Sequence, residues 1–145
     1  MLTFTVPGAP VGKGRPRATA IGGRARLYTP AKTAAYEGLV ALAAREAMAG
    51  RPLFGGPLRM RLEIACAVPA SWSGRKRAQA LEGLIRPTTK PDASNVLKAC
   101  EDGCNGVVYR DDVQIVEGSF SKYYAETPAV YVAVWPIVST NEARA

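Results

Sequence analysis

The sequence predicts an α+β fold, a small single domain with a mixed β-sheet and helices packed mainly on one side. Two observations support this prediction. Apolar residues recur at strand or helix spacing in the order β-α-β-α-α-β-β-β, and a chain of 145 residues suits one domain. Hydrophobic residues make up 48% and charged residues 21%, as in folded soluble proteins. We expect the domain to span residues 1–138 and a disordered tail to span 139–145.

The first elements follow from alternation, breakers and helical spacing. Residues 2–7 (LTFTVP) alternate and predict a strand. Residues 8–30 are rich in glycine and proline, which indicates an extended loop or a loose hairpin. A helix is predicted over 30–49, with Thr29 as its N-cap and Gly50 at its end.

The later elements begin with the cleanest alternation in the chain, at residues 57–69, which predicts a strand. A short helix is expected over 71–84. A further helix is expected over 94–104, where Asp92 or Ser94 can act as the N-cap. Three more strands are predicted at residues 107–109, 113–123 and 129–138.

Positive charge is concentrated near the N-terminus. The chain has a formal net charge of +7, yet no acidic residue precedes Glu37. The bases of this acid-free segment are Lys13, Arg15, Arg17, Arg24, Arg26 and Lys32. A long all-basic segment indicates a polyanionic partner such as nucleic acid. The second basic run, residues 75–77, is better explained as a solvated surface.

Several classes of chemistry and of location are excluded or disfavoured. The chain has no histidine, which excludes nucleophiles activated by histidine and removes the commonest nitrogen ligand of zinc. Cys66, Cys100 and Cys104 are odd in number, so we expect reduced thiols that pack as small hydrophobic side chains. Neither a signal peptide nor a membrane span is indicated. These features predict a cytoplasmic protein.

The segment GAPVGKG, residues 8–14, invites comparison with a phosphate-binding P-loop. Only three residues separate Gly8 from Gly12, and Gly14 stands where a serine or threonine would hold magnesium. The comparison therefore fails. We interpret the glycines as turn residues that allow Lys13, Arg15 and Arg17 to reach phosphates.

Acidic residues gather in the second half of the chain. Residues 89–118 contain six of the twelve carboxylates, namely Asp92, Glu101, Asp102, Asp111, Asp112 and Glu117. On the predicted helix, Asn95, Lys98 and Asp102 share a face. Carboxylates at this density repel each other unless a cation compensates, and Mg²⁺ prefers such oxygen ligands. A surface helix followed by an aspartate-rich turn explains the spacing equally well.

Motifs across most of the chain resemble the RusA family of Holliday junction resolvases, which are often prophage-encoded. The resemblance rests on GKGRPR (12–17), YTPAKTAAYE (28–37) and KPDASNVLKACEDGCNGVVYRDDVQIV (90–116), and it extends from residue 3 to about residue 122. It implies a homodimeric endonuclease that binds four-way DNA junctions. It also implies symmetric cleavage of two opposed strands with Mg²⁺ or Mn²⁺, in DNA recombination and repair.

The resemblance assigns roles by position. Asp92 and Asp112 match metal-binding aspartates, Lys98 matches the catalytic lysine, and Asp111 matches a neighbouring motif position. Ser94 stands where family members usually carry an aspartate, and it is a weaker magnesium ligand. We thus predict catalytic roles for Asp92, Lys98 and Asp112, and metal contacts from Asp92, Asp112, Ser94 and Asp111. The predicted DNA contacts are Lys13, Arg15, Arg17, Arg24, Arg26, Lys90 and Lys122.

Three functions remain open at this point. The first is a metal-dependent, structure-selective endodeoxyribonuclease that resolves four-way junctions. The second is a junction-binding protein whose cleavage is weak or lost because of Ser94. The third is a general basic nucleic-acid-binding module, which would not prefer junctions to duplex.

Overall fold

A central β-sheet and three helices form the structure, a computed structural model. It describes the backbone of residues 1–14, 17–21, 24–28 and 30–138, and the side chains of 1–14 and 30–138. The strands are β1 (Leu2–Pro7), β2 (Arg17–Ile21), β3 (Arg24–Tyr28), β4 (Leu58–Ala67), β5 (Ile115–Ala125) and β6 (Ala129–Pro136). The helices are α1 (Ala31–Met48), α2 (Gly74–Leu81) and α3 (Ala93–Gly103), with a 3₁₀ helix at Asp112–Gln114.

The sheet is mixed, as predicted. Its strand order is β1-β6-β4-β5, with β4 and β5 parallel and the other neighbours antiparallel. Strands β2 and β3 form a separate antiparallel ribbon. The ribbon confirms the hairpin alternative for residues 8–30.

One face of the sheet packs against the helices and forms the core. Alternate residues of β1 and β4 are buried there, and the residues between them are partly or fully exposed, except Ala65, which is fully buried. Helix α1 contributes Tyr36, Val40, Ala44 and Met48 to the same core. The predicted alternation of residues 57–69 is thereby confirmed, since a half-buried strand shows its apolar residues at every second position.

Most predicted boundaries are accurate to about two residues. Helix α3 begins at residue 93, one residue before the predicted start, because Asp92 provides the cap. Helix α1 has Pro30 at its N-cap position without a side-chain hydrogen bond, so the predicted start at residue 30 is one residue early; Thr29 lies outside the described residues. Ala49, in the left-handed region, and Gly50 follow the end of α1.

The strand predicted over 107–109 is wrong. These residues form a tight turn after α3, in which the N–H groups of Val107 and Val108 donate to the Cys104 carbonyl. Tyr109 makes only isolated bridges, with Phe54 and Asn105. Val108 and Tyr109 are fully buried, so their apolar character reflects burial of a turn and not strand pairing.

The cysteines confirm the expectation of small hydrophobic side chains. Cys66, Cys100 and Cys104 are buried free thiols. Burial raises the pKa of each thiol, to about 12 for Cys104, so the neutral form is favoured. Among the described residues, no helix is sufficiently long and apolar to cross a membrane. The predicted tail, 139–145, lies outside those residues.

The contact between α1 and α3 has a testable steric requirement. A Cβ atom at Gly103 would lie 2.7 Å from Val40 Cβ. We expect Gly103→Ala to lower the free energy of unfolding by roughly 1–3 kcal/mol because the core is overpacked. Gly38→Ala is the control. Gly38 lies on the exposed face of α1, and no atom lies within 4 Å of the added methyl group. It should stabilise by about 0.5–1 kcal/mol. Urea denaturation measures both, and equal effects would contradict the packing argument.

Candidate functional site

Asp92 lies at the entrance of α3 and is exposed. Its Oδ1 atom accepts hydrogen bonds from the Ser94 backbone N–H at 2.9 Å and from Ser94 Oγ at 2.7 Å. These bonds lower the pKa of Asp92, the Ser94 side chain acting most strongly, and Lys122 acts in the same direction. The carboxylate is therefore ionised at neutral pH and oriented by its own helix.

Lys98 lies on α3, six residues after Asp92, and meets the turn that follows Tyr109. Its Nζ atom lies 2.8 Å from Asp112 Oδ2 and 3.1 Å from Asp102 Oδ1. The hydrogen bond to Asp112 is the main cause of the raised pKa of Lys98, and the same bond lowers the pKa of Asp112. Both groups are thus charged at neutral pH. The Lys98 side chain keeps 50% of its surface exposed, and its ammonium group contacts both carboxylates.

Asp102 also pairs with a second lysine, Lys13. Its Oδ2 atom lies 3.1 Å from Lys13 Nζ, which also lies 2.5 Å from Glu37 Oε1. The predicted phosphate contact Lys13 is therefore paired with two carboxylates. Sequence reasoning missed Glu37, since no local spacing links it to a lysine 24 residues earlier.

The turn that carries Asp111 and Asp112 is held by Gln114. Its Oε1 atom accepts from the backbone N–H groups of Arg110 and Asp111, and its Nε2 atom donates to the carbonyls of Phe54 and Gly56. Asp111 caps the 3₁₀ helix by accepting from Val113 N–H. Asp111 and Gln114 together form a capping box. This local structure fixes the turn that carries Asp111 and Asp112.

Glu101, the remaining acid of α3, has a different environment. Burial is the main cause of its raised pKa, and the charges of Asp112 and Asp102 act in the same direction. The backbone carbonyl of Glu101 accepts a hydrogen bond of 2.6 Å from Tyr109 Oη. The fully buried Tyr109 side chain thereby joins α3 to the turn that precedes Asp111.

A cleft of about 680 Å³ opens beside Asp92. Its walls are the loop 10–14, the start of α1 and the entrance of α3. Lys13, Lys32 and Lys90 provide positive charge in its lining, and Asn95 provides an amide. A cleft that combines three lysines with an ionised aspartate suits a phosphodiester strand close to a reactive group.

The other predicted DNA contacts divide into two groups, the arginines of residues 15–26 and the lysines near Asp92. Arg17 lies on β2, and Arg24 and Arg26 lie two residues apart on β3; their side chains and all of Arg15 are outside the described residues. Lys122 donates to the Thr89 carbonyl, close enough to Asp92 to affect its pKa. The described geometry thus places Lys90 and Lys122 next to the predicted site.

The donors available for a metal ion are hard oxygen atoms. Asp92 and Ser94 lie at the start of α3, and Asp111 and Asp112 lie at the turn before β5. Such oxygen atoms fit Mg²⁺ or Mn²⁺ chemically. Within the described residues, no three acidic or cysteine side chains are grouped closely enough to form a metal site. The predicted ligands therefore form two pairs, at the two ends of the Asp92–Asp112 segment.

Comparison with known proteins gives two matches. The family model described as endodeoxyribonuclease RusA matches residues 7–135. The uncharacterized protein YqaN of Bacillus subtilis (strain 168) is 39% identical over 137 residues, which cover 92% of this chain and 94% of that protein. The family match includes the three helices, strands β2 to β5 and the site residues described above.

The hydrogen bonds of Gln114 can be tested directly. Gln114→Ala removes four bonds that hold the turn, and we expect a loss of about 1–3 kcal/mol in the free energy of unfolding. Val113→Ala is the neighbouring control, since Val113 is 77% exposed and should change stability by less than about 0.5 kcal/mol. Chemical denaturation distinguishes the two variants. A Gln114 variant as stable as the control would show that the turn does not depend on the amide.

Proposed function

Because this chain belongs to the endodeoxyribonuclease RusA family, we propose that it is a metal-dependent, structure-selective nuclease that resolves four-way DNA junctions. The observation that carries the proposal is the contact between Lys98 on α3 and Asp112 on the following turn, 2.8 Å apart. These residues match the catalytic lysine and a metal-binding aspartate of the family motif. Two distant parts of the motif thus meet in one exposed site.

Two pairs of oxygen donors, Asp92 with Ser94 and Asp112 with Asp111, would hold Mg²⁺ or Mn²⁺; in the described residues the two pairs are not grouped into one metal site. When bound, the ion would supply an activated water and would polarise the scissile phosphate. The Lys98 ammonium group would offset negative charge that develops on the phosphate. The Lys98 side chain is half exposed to solvent. Its contacts with Asp102 and Asp112 fix the position of its charge.

DNA would approach from the side of the cleft and the β2–β3 ribbon. Lys32 and Lys90 line the cleft, and Arg17, Arg24 and Arg26 belong to the ribbon. Contacts from these bases to phosphates would position the strand without reading its sequence. A net charge of +7 supports this model, and affinity should fall steeply with salt through release of counterions.

A homodimer completes the proposal, since two symmetric cuts require two symmetric sites. The sheet face opposite the helices supports self-association. It carries two ion pairs, Arg59 with Glu117 and Arg61 with Glu63, and thus no net charge from these four residues. A second copy can approach this face without the repulsion expected elsewhere on a strongly basic chain.

A second function, junction binding with weak cleavage, is favoured by the geometry of Ser94. The Ser94 hydroxyl donates to Asp92 Oδ1 at 2.7 Å and thus uses one of the acceptor sites of that oxygen. An aspartate in this position would add a carboxylate ligand. Serine contributes a neutral hydroxyl that already has a partner. The cleavage assays below distinguish the two functions.

The first assay tests the role of Asp112. Asp112→Asn removes the charge and keeps the shape, so we expect junction binding to remain and Mg²⁺-dependent cleavage to fall by about 10²-fold or more. Glu82→Gln gives the same charge change at the end of α2 and should cleave like the parent protein. A labelled four-way junction, with duplex of the same sequence as competitor, provides both readings. Parental cleavage by Asp112→Asn would overturn the assigned role.

The second assay tests Ser94. Ser94→Asp supplies a charged oxygen ligand, so we expect faster cleavage and half-maximal activity at a lower Mg²⁺ concentration. An acid in the first turn of α3 is also favoured by the helix dipole, so the fold should tolerate it. Ser71→Asp, in the exposed loop before α2, controls for the added charge. Identical Mg²⁺ titrations of Ser94→Asp and the parent protein would place residue 94 outside the reach of the ion.

A further inference from the structure

We propose that Lys13 and Asp102 are positioning residues that hold the Lys98 ammonium group against Asp112 and tie the N-terminal loop to α3. The three side chains Lys13, Glu37 and Asp102 are called the Lys13 cluster here. The inference rests on the proposed function, because it assigns these residues to the site that contains Lys98. It also gives the GKG segment a role other than contact with phosphates.

The first step concerns the closeness of the loop to α3. The backbone N–H of Lys13 donates to the Asn95 carbonyl at 2.8 Å. A Cβ atom at Gly12 would lie 3.1 Å from Asn95 Cβ and 3.5 Å from Pro91 Cβ. Gly12 thus allows the loop to lie directly on the entrance of α3. This close approach explains the glycine without a bound phosphate.

The second step concerns the opposite side of the loop. Gly14 N–H donates to the buried Thr33 Oγ1 at 2.9 Å, and a Cβ atom on Gly14 would lie 3.1 Å from Pro30 Cγ. Gly12 and Gly14 therefore fit the loop between α3 and the start of α1. Lys13, which lies between these glycines, is fixed in position by its neighbours on both sides.

The third step follows the charges. Asp102 shares its two oxygen atoms between two lysines, with Oδ1 at 3.1 Å from Lys98 and Oδ2 at 3.1 Å from Lys13. The side chains of the Lys13 cluster are 18–23% exposed, whereas Lys98 is 50% exposed. Ion pairs in the less exposed cluster are screened less by solvent. The cluster thus forms a less exposed support for the more exposed Lys98.

The fourth step argues against a direct phosphate contact for Lys13, which lines the cleft but is less exposed than Lys98. Partial burial disfavours its charge, but hydrogen bonds to Glu37 and Asp102 outweigh that effect, and the pKa of Lys13 is raised. A phosphate could engage this ammonium group only in competition with two carboxylates at 2.5 and 3.1 Å. Phosphate binding would therefore disturb the support of Lys98.

A consequence for the substrate follows. The loop 10–14 leads into residues 15–28, which contain the ribbon with Arg17, Arg24 and Arg26. The Lys13 cluster thus joins the segment proposed to bind DNA to the helix that carries Lys98. Lys13 would contribute to the rate of cleavage more than to affinity, since it acts on the position of a catalytic group.

The experiment compares Lys13→Met with the parent protein and with Lys76→Met, which removes one positive charge from exposed α2. Single-turnover cleavage at saturating protein, the Kd for the junction and its salt dependence are measured for each. We expect Lys13→Met to lower the cleavage rate by about 10- to 100-fold with little change in Kd. Lys13→Arg keeps the charge and should recover most of the rate. The double variant with Asp102→Asn should be no slower than Asp102→Asn alone.

A second measurement does not depend on cleavage. Carbon-13 relaxation reports the mobility of the Lys98 side chain, and we expect greater mobility in Lys13→Met and Asp102→Asn than in Lys76→Met. If the parent protein does not cleave junctions, the proposed function fails and this measurement still decides the inference. If Lys13→Met does not fold, Asp102→Asn and Lys13→Arg provide the same comparison.

Two results would overturn the inference. In the first, Lys13→Met retains the parental rate at saturation, binds the junction more weakly, and lowers the slope of log affinity against log salt by roughly 0.9, as for a lost phosphate contact. In the second, the mobility of Lys98 is the same in Lys13→Met as in Lys76→Met. Either result would show that Lys13 does not position Lys98.

Discussion

The ion pair between Lys98 and Asp112 determines how the rest of the site is arranged. It joins α3 to the turn before β5 and compensates charge where Asp102 and Asp112 lie close together. The depressed pKa of Asp112 means that its contribution to stability is present above its unfolded pKa of about 3.9 and is lost as the pH falls through its folded pKa. The raised pKa of Lys98 places the corresponding alkaline loss above its unfolded pKa of about 10.4. The pair is therefore fully formed through the neutral range.

The hydrophobic core sets the positions of the two partners. Helix α3 packs through Val96, Ala99 and Cys100, and these buried residues turn Lys98 and Asp102 towards the surface. Gly103 allows α1 to approach closely, which brings Glu37 near the same surface. The polar residues of the site thus owe their positions to apolar contacts on the opposite side of the same helices.

Local features of the site were accessible from the sequence, and long-range ones were not. Helical spacing placed Lys98 and Asp102 on one face, and cap preferences identified Asp92. The resemblance to the family motif assigned Asp112 and Lys98 to the same predicted site. The ion pair of Lys13 with Glu37 depends on how the loop folds across α1, and no periodic pattern encodes such a contact. The error at residues 107–109 has a similar cause, since a buried turn and a buried strand are both apolar.

The parallel pairing of β4 with β5 has a consequence for the order in which the molecule is assembled. The two strands become neighbours only after the chain from residue 68 to residue 114 has crossed over the sheet. Asp92, Lys98 and Asp112 all belong to this crossover. Non-local parallel pairing is slow to form because the entropy of loop closure is lost before contacts compensate it. A nascent chain whose β5 has not yet left the ribosome would thus lack the paired strands on either side of the site, so the site would form only after residues 115–125 have emerged.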